Sequence, residues 1–250
     1  MRRTHSSNRA ILVLESPWDL DGNDSNRTSV LPFVEGVAKY AGDTEVFHAN
    51  FYDERSFKKA LACLCKRKFS NTTVYVAAHG FKNKIGGVDV LTLLVLIGLE
   101  SKKYNITGVM LGSCFVGENV AEIEACLEGS NIKWCVGYAS ESAWLTGTLI
   151  DCSVLIEMSA FDIEDYSSSK AMILSFARAV SHFSASFHIG DDYQQNPVRL
   201  RESIKFVVQP TGRGQRATLV SEEVFRAYEK NQIESPPHGD NIQNSAGRGC

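Results

Sequence analysis

The sequence predicts an α/β fold, a three-layer sandwich with a mainly parallel central sheet and helices on both faces. Three observations lead there. Short apolar runs of buried-strand length alternate with segments of helical spacing along most of the chain. Of the 250 residues, 44% are hydrophobic, enough for one sizeable core. Two strand-like runs stop on small residues followed by a reactive side chain: Val74-Tyr75-Val76-Ala77-Ala78-His79-Gly80 and Gly108-Val109-Met110-Leu111-Gly112-Ser113-Cys114.

The elements follow in order. Ile11 to Leu14 is a buried-type strand, stopped by Glu15-Ser16-Pro17 and followed by a polar loop from Asp19 to Arg27. Residues 29–40 carry Leu31, Phe33, Val34, Val37 and Tyr40 at helical spacing and meet a glycine stop at Gly42. Residues 44–51 read as a second strand. Residues 54–68 read as an amphipathic helix with Phe57, Leu61 and Leu64 on one face, and 73–78 as a third strand. A loop from Phe81 to Gly87 leads to an apolar helix over 91–99, a fourth strand over 107–113 and a short helix over 118–127. The fifth strand is 132–139, helices follow over 142–159 and 167–187, and 204–208 and 221–230 give a last strand and a terminal helix. No repeat or second-domain boundary interrupts this order. One domain over 1–230 is expected, with a disordered tail over 231–250, rich in Pro, Gly, Asn and Ser from Ser235 onward.

Composition excludes several classes. A formal net charge of −3 argues against bulk binding of nucleic acid or of an anionic membrane. No run approaches the roughly 18 apolar residues that span a bilayer; the longest, Val88 to Leu99, carries Asp89 near its start. Met1-Arg2-Arg3-Thr4-His5-Ser6-Ser7 lacks an apolar signal core, so the expected location is the cytoplasm. The seven cysteines (Cys63, Cys65, Cys114, Cys126, Cys135, Cys152 and Cys250) are odd in number and irregular in spacing, unlike a disulfide framework. Cys63, Cys126 and Cys135 sit in apolar runs, as small hydrophobes do. A reducing compartment would also keep a reactive thiol available.

Both reactive side chains fall at the carboxyl ends of their strands, the edge where open α/β sheets bind ligands. Neighbouring strands lie about 4.8 Å apart, so an imidazole and a thiol on adjacent strands can meet above that edge. A thiol of ordinary pKa is mostly protonated at neutral pH, and a nearby imidazole can take its proton and later return it to a leaving amine. Ala77, Ala78, Gly112 and Ser113 leave room for a substrate backbone. The N–H groups of Gly80 and Cys114 can hold an oxyanion, and the short helix after Cys114 is expected to turn its positive end toward the sulfur. No third catalytic residue stands out; Asp89 reads equally as a helix start. Cys63-Leu64-Cys65 lacks metal-ligand geometry, because residues two apart on a helix face different ways. His5, His48, His182, His188 and His238 have no motif around them, so no metal site is expected. The stretch Gly112 to Gly117 lacks the Gly-Lys-Ser/Thr ending of a phosphate loop. A nucleophile-elbow hydrolase is opposed by Val116 two residues after Cys114 and by a histidine that precedes the cysteine. Strand content alone also allows a flavodoxin-like binding module.

On these two blocks the chain resembles the caspase-like cysteine peptidases, nearest to the CHAT-type or bacterial caspase-like branch. The segment Val136-Gly137-Tyr138-Ala139-Ser140 through Trp144 has the form seen there, and strand order extends the likeness over roughly residues 9 to 210. The resemblance implies a caspase-like fold, His79 as general base, Cys114 as nucleophile and a thioester acyl-enzyme. It also implies an oxyanion site at the backbone of Gly80 and Cys114, and cleavage after one preferred side chain without cofactor. It implies a pocket drawn from the loops after the first and fifth strands and from residues beside the cysteine: Asp19, Gly112, Tyr138, Ser140, Glu141 and Trp144. The sequence Gly112-Ser113-Cys114-Phe115-Val116-Gly117 departs from the Gln-Ala-Cys-Arg-Gly of animal caspases, so aspartate specificity is not implied. Asp19, Asp21, Asp24 and Glu141 outnumber Arg27 in the loops, which favours a basic side chain over an acidic one. The expectation is a cytoplasmic endopeptidase acting on a protein substrate, controlled by a protein partner or an activation signal, in bacterial defence or programmed cell death. The alternative is a catalytically silent relative serving as a protein-binding scaffold.

Overall fold

Period-two alternation along the strands decides which face of the sheet each helix covers. The computed structural model describes residues 8–17 and 28–234. Strands β1 (Arg9–Glu15), β2 (Thr44–Asn50) and β3 (Asn71–Ala77) are followed by three very short strands, β4 (Gly80–Phe81), β5 (Lys84–Ile85) and β6 (Val88–Asp89). Then come β7 (Ile106–Gly112), β8 (Trp134–Tyr138), β9 (His188–Asp191), β10 (Pro197–Arg199), β11 (Ile204–Val208) and β12 (Thr218–Leu219). The helices are α1 (Leu31–Ala41), α2 (Glu54–Leu64), α3 (Val90–Tyr104), α4 (Val120–Glu128), α5 (Trp144–Ser159), α6 (Ser169–Val180), α7 (Leu200–Ser203) and α8 (Ser221–Glu234).

The main sheet has the order β12-β11-β8-β7-β3-β1-β2. Its pairs from β2 through β8 are parallel, whereas β11 runs antiparallel to β8 and to β12. Ile11, Val13, Tyr75, Met110, Trp134 and Val136 point to one face, where α1, α5, α6 and α8 pack through Val34, Ile150, Phe176 and Val224. Leu12, Val74, Val76, Val109 and Leu111 point to the other, against α2, α3 and α4 through Phe57, Leu93 and Ile123. The result is the three-layer α/β sandwich with a mainly parallel sheet that the alternation predicts.

Helix ends differ from expectation for local reasons. Helix α2 stops at Leu64 rather than 68, because the chain turns to bury Cys65 and Phe69, and Phe69 packs on Phe47 at 5.9 Å. Helix α3 runs past Leu99 to Tyr104 and ends on Asn105 in the left-handed region, at φ 55°. Helix α6 stops at Val180, well short of 187. Ser181, Ser184 and Ser186 follow it, a residue type whose hydroxyl competes for backbone hydrogen bonds. The loop expected over 81–87 is a small antiparallel sheet, β4-β5-β6, turned by Gly86 and Gly87 at positive φ. The β9–β10 hairpin falls inside no expected element. Both features consist of strands too short to show periodicity. Cys63, expected to behave as a small hydrophobe, is exposed, because it lies on the solvent side of α2 opposite Phe57 and Leu61; Cys135 is buried as expected. The terminal helix continues to Glu234, past the expected domain end, and the rest of the tail lies outside the described residues. Among the described residues no helix is long and apolar enough to cross a membrane.

Candidate active site

Strands β3 and β7 are neighbours, and Ala77 pairs in register with Gly112. His79 and Cys114 therefore each stand two residues beyond the same rung, at the carboxyl edge of the parallel strands. The backbones that follow touch. A Cβ built on Gly80 would run into the Cys114 carbonyl oxygen and lie 2.8 Å from the Cys114 nitrogen. Only glycine allows this approach, since the blocking atoms are backbone and cannot rotate away. We predict that Gly80→Ala pushes the two segments apart and lowers turnover by about 10²–10³, the cost of losing one oxyanion donor. A kcat/KM measurement beside an unchanged circular dichroism spectrum checks this.

The cysteine segment is pinned from the β8 side. Phe115 donates its N–H to the Ser140 carbonyl at 3.1 Å. Phe115 is held at φ 62°, a left-handed conformation costly for a residue with a Cβ, and its ring stacks on Tyr193 of the β9–β10 hairpin at 4.0 Å. The Cys114 Sγ accepts a hydrogen bond from the Ser142 N–H at 3.3 Å. Burial pushes the Cys114 thiol up from its ordinary value, the Ser142 N–H offsets part of this, and the charge of Glu141 adds to it. The helix expected directly after Cys114 begins only at Val120, behind a short 3-10 turn over Val116–Glu118. The donor at the sulfur is instead the Ser142 N–H, one residue before the Ala143 N-cap of α5.

Beside Cys114 lies a cavity of about 260 Å³, lined by the ends of β1, β3, β7 and β8, the chain at Thr28–Val30 and the start of α5. Gly112, Tyr138 and Trp144, all named from the sequence, line it. Trp144 is a wall: its indole N–H donates to the Thr28 carbonyl at 2.9 Å, and its ring meets Phe33 edge-on at 5.8 Å. Ser140 and Glu141 are not in the lining. Ser140 is buried, its hydroxyl within 2.8 Å of the Glu141 carbonyl and 2.7 Å of the Ser203 hydroxyl, and Glu141 is exposed. His79 is exposed beside the cavity rather than within its lining. Asp19, with Asp21, Asp24 and Arg27, lies outside the described residues. Asp89 caps α3, accepting the Thr92 N–H at 3.2 Å, and takes no part in the site. Among the described residues no group of three His, Cys, Asp or Glu side chains is placed to hold a metal ion.

Sequence reasoning missed the cavity floor. Asp151 of α5 is 2% exposed; its Oδ2 accepts the Tyr75 hydroxyl and its Oδ1 the Tyr138 hydroxyl, each at 2.7 Å. The signal was present as a lone acid inside the apolar run Leu149-Ile150-Asp151-Cys152-Ser153-Val154-Leu155. Burial raises the Asp151 carboxyl to about 7, although both tyrosine hydroxyls act to lower it. Its folded value exceeds its unfolded one, so the folded state holds the extra proton. Stability from this group is present below about pH 4 and is lost as pH rises through about 7. Asp151→Asn is expected to gain stability over the parent chain at pH 8, by on the order of a few kcal/mol, and not at pH 4. Urea melts at the two pH values check the sign. Two more lining groups, the Ser113 and Ser142 hydroxyls, are buried without a hydrogen-bond partner. Such orphans call for an explanation, and a ligand supplies one.

No family model and no curated protein matches the chain. Among solved structures it is similar to a secreted C11 cysteine protease from Bacteroides thetaiotaomicron, "iotapain", at 9% identity and a TM-score of 0.48, over 81% of this chain and 66% of that one. A secreted C11 cysteine protease from the same organism, in complex with an irreversible peptide inhibitor, aligns at 9% identity and a TM-score of 0.45, over 87% of this chain and 67% of that one. The chain thus spans at most about two thirds of those proteins. A likeness this distant assigns no residue here.

Proposed function

We propose that the chain is a caspase-like cysteine endopeptidase working through a His79–Cys114 dyad. The observation that supports the reading is the Ala77–Gly112 rung of the parallel β3–β7 pair, two residues beyond which His79 and Cys114 follow on neighbouring strands, Cys114 lining a cavity. Burial pushes the Cys114 thiol up from its ordinary value, which suits an imidazole that takes the proton as general base during attack. The Cys114 Sγ bonds to the scissile carbonyl carbon while its proton passes to His79. The oxyanion is held by the N–H groups of Gly80 and Cys114. The C–N bond then breaks as His79 protonates the departing amine, leaving a thioester that water, deprotonated by His79, hydrolyses.

The reading extends to a protein or peptide substrate, a cytoplasmic setting and control by a partner or activation signal. The six unpaired cysteines among the described residues support a reducing compartment. The raised thiol and the exposed imidazole suit an enzyme drawn into its working geometry by such a signal. A role in bacterial defence or programmed death rests on the family resemblance alone. The test is a peptide-library digest with the parent chain and Cys114→Ala, alongside labelling by a peptidyl acyloxymethyl ketone. Cleavage and Cys114 labelling, both absent from the variant, are the expected result. Cleavage surviving in Cys114→Ala removes the dyad, and a Cys114 that no electrophilic peptide labels favours the silent scaffold.

A further inference from the structure

We propose that the outer face of α3, formed by Leu91, Val95 and Leu99, is the docking site for an amphipathic helix of a protein partner, apolar along its middle and acidic at both ends. The inference does not rest on the peptidase reading.

Helix α3 is apolar on more sides than its packing uses. Val90, Leu93, Leu94 and Ile97 are fully buried against the rest of the domain. Leu91, Val95 and Leu99 turn away from it and are 42%, 44% and 73% exposed. A lone exposed leucine is ordinary, whereas a row of large apolar side chains in water marks a contact surface. Their spacing of four residues makes them one ridge of the helix, about 12 Å long at 1.5 Å per residue. A ridge of this kind fits the groove between side-chain rows of a second helix.

Charge selects the occupant. Lys102 and Lys103 stand exposed on the last turn of α3, and Lys66 and Lys68 are exposed in the segment after α2. Asn105 ties that segment to this end of α3, its amide donating to the Phe69 carbonyl at 3.2 Å. At the other end Lys84 is exposed on β5, paired in register with Asp89. Asp89 is already engaged, by the Thr92 N–H at 3.2 Å and the Asn83 amide at 2.8 Å. Glu100, the one acid within α3, is half-buried on the side of Cys65. The ridge therefore runs between two cationic ends. A second copy of the chain, parallel or antiparallel along α3, would set Lys102 and Lys103 against the same lysines or against Lys84, and like charges oppose such pairing. The chain's own segment 235–250 has Ile242 as its one large aliphatic residue and does not match a three-residue ridge. A helix with apolar residues three or four apart and Asp or Glu toward both termini satisfies the ridge and its flanks together.

A phage-displayed library of random peptides, selected on the parent chain with counter-selection on Val95→Asp, provides the test. Fluorescence anisotropy of the enriched peptides then gives their affinities. Val95 faces water, so the substitution empties no core site, and circular dichroism melts of each chain check the fold. Enriched peptides are expected to carry apolar residues at helical spacing between acidic ends. Their affinity is expected to fall at least about tenfold in Val95→Asp, as for a central interface residue. It is also expected to fall with added salt and in the double variant Lys102→Glu/Lys103→Glu, which leaves the ridge intact. No enriched peptide, enrichment of basic or non-helical sequences, or affinities unchanged in either variant overturns the proposal. A dimer in sedimentation velocity that Val95→Asp dissociates overturns it too, giving the face to a second copy. Binding of phosphatidylserine vesicles that Val95→Asp abolishes likewise overturns it, giving the face to a membrane.

Discussion

His79→Ala will lower kcat/KM by about 10²–10⁴, the range that a positioned general acid–base supplies, and will leave the fold intact. The size follows from the state of the thiol. A cysteine on an open surface ionises enough near neutral pH to react without help. Cys114 differs, because burial and the charge of Glu141 push its thiol up, and hydrogen bonds from the Ser142 and Cys114 backbone counter them only in part. Attack therefore needs a group to receive the proton as the carbon–sulfur bond forms. The neighbouring strand ends in such a group. His79 is exposed, so truncating it opens no core cavity, and the loss reports chemistry rather than stability. Steady-state kinetics on a cleaved peptide, with thermal melts of both chains, separates the two.

Trp134→Ala will cost about 3–5 kcal/mol of folding stability, the range for emptying a large buried aromatic. Trp134 opens β8 and is fully buried, with its ring edge-on to Phe176 of α6 at 6.0 Å. The indole also lies flat under β7: a Cβ on Gly108 would collide with three of its ring atoms. This one side chain therefore joins the strand that leads to Cys114, the strand that leads to the Ser142 loop, and the helix layer beneath them. A cavity there cannot collapse without disturbing the β7–β8 register, so the upper half of the range is expected. Urea unfolding followed by tryptophan-independent circular dichroism gives the value.

Legibility in the sequence followed the length of the periodic signal. The buried strands β1, β3, β7 and β11 and the helices that pack through Phe57 or Leu93 were readable because apolar residues repeat over whole elements. The two-residue strands β4, β5 and β6 were not, since a two-residue strand has no period, and the strands of the β9–β10 hairpin are short and largely polar. At the site, His79 and Cys114 were visible as chemistry at the ends of apolar runs, and Gly112, Tyr138 and Trp144 do line the cavity. Ser140 and Glu141 were named from their loop, but burial of one and outward orientation of the other keep them from the lining; no local pattern encodes that. Asp151 was overlooked for the opposite reason. Its neighbours on α5 read as core, and only the fold brings Tyr75 and Tyr138 from two different strands onto its two oxygens.

The dyad is most directly tested by the rate at which iodoacetamide alkylates Cys114, followed by mass spectrometry from about pH 5 to 9 in the parent chain and in His79→Ala. If the imidazole accepts the thiol proton, the parent chain is alkylated faster than His79→Ala near neutral pH, and its rate begins to climb at lower pH. The variant then reacts only above the ordinary thiol range, where burial has moved Cys114. Superimposable rate profiles for the two chains would mean that His79 does not touch the chemistry of Cys114.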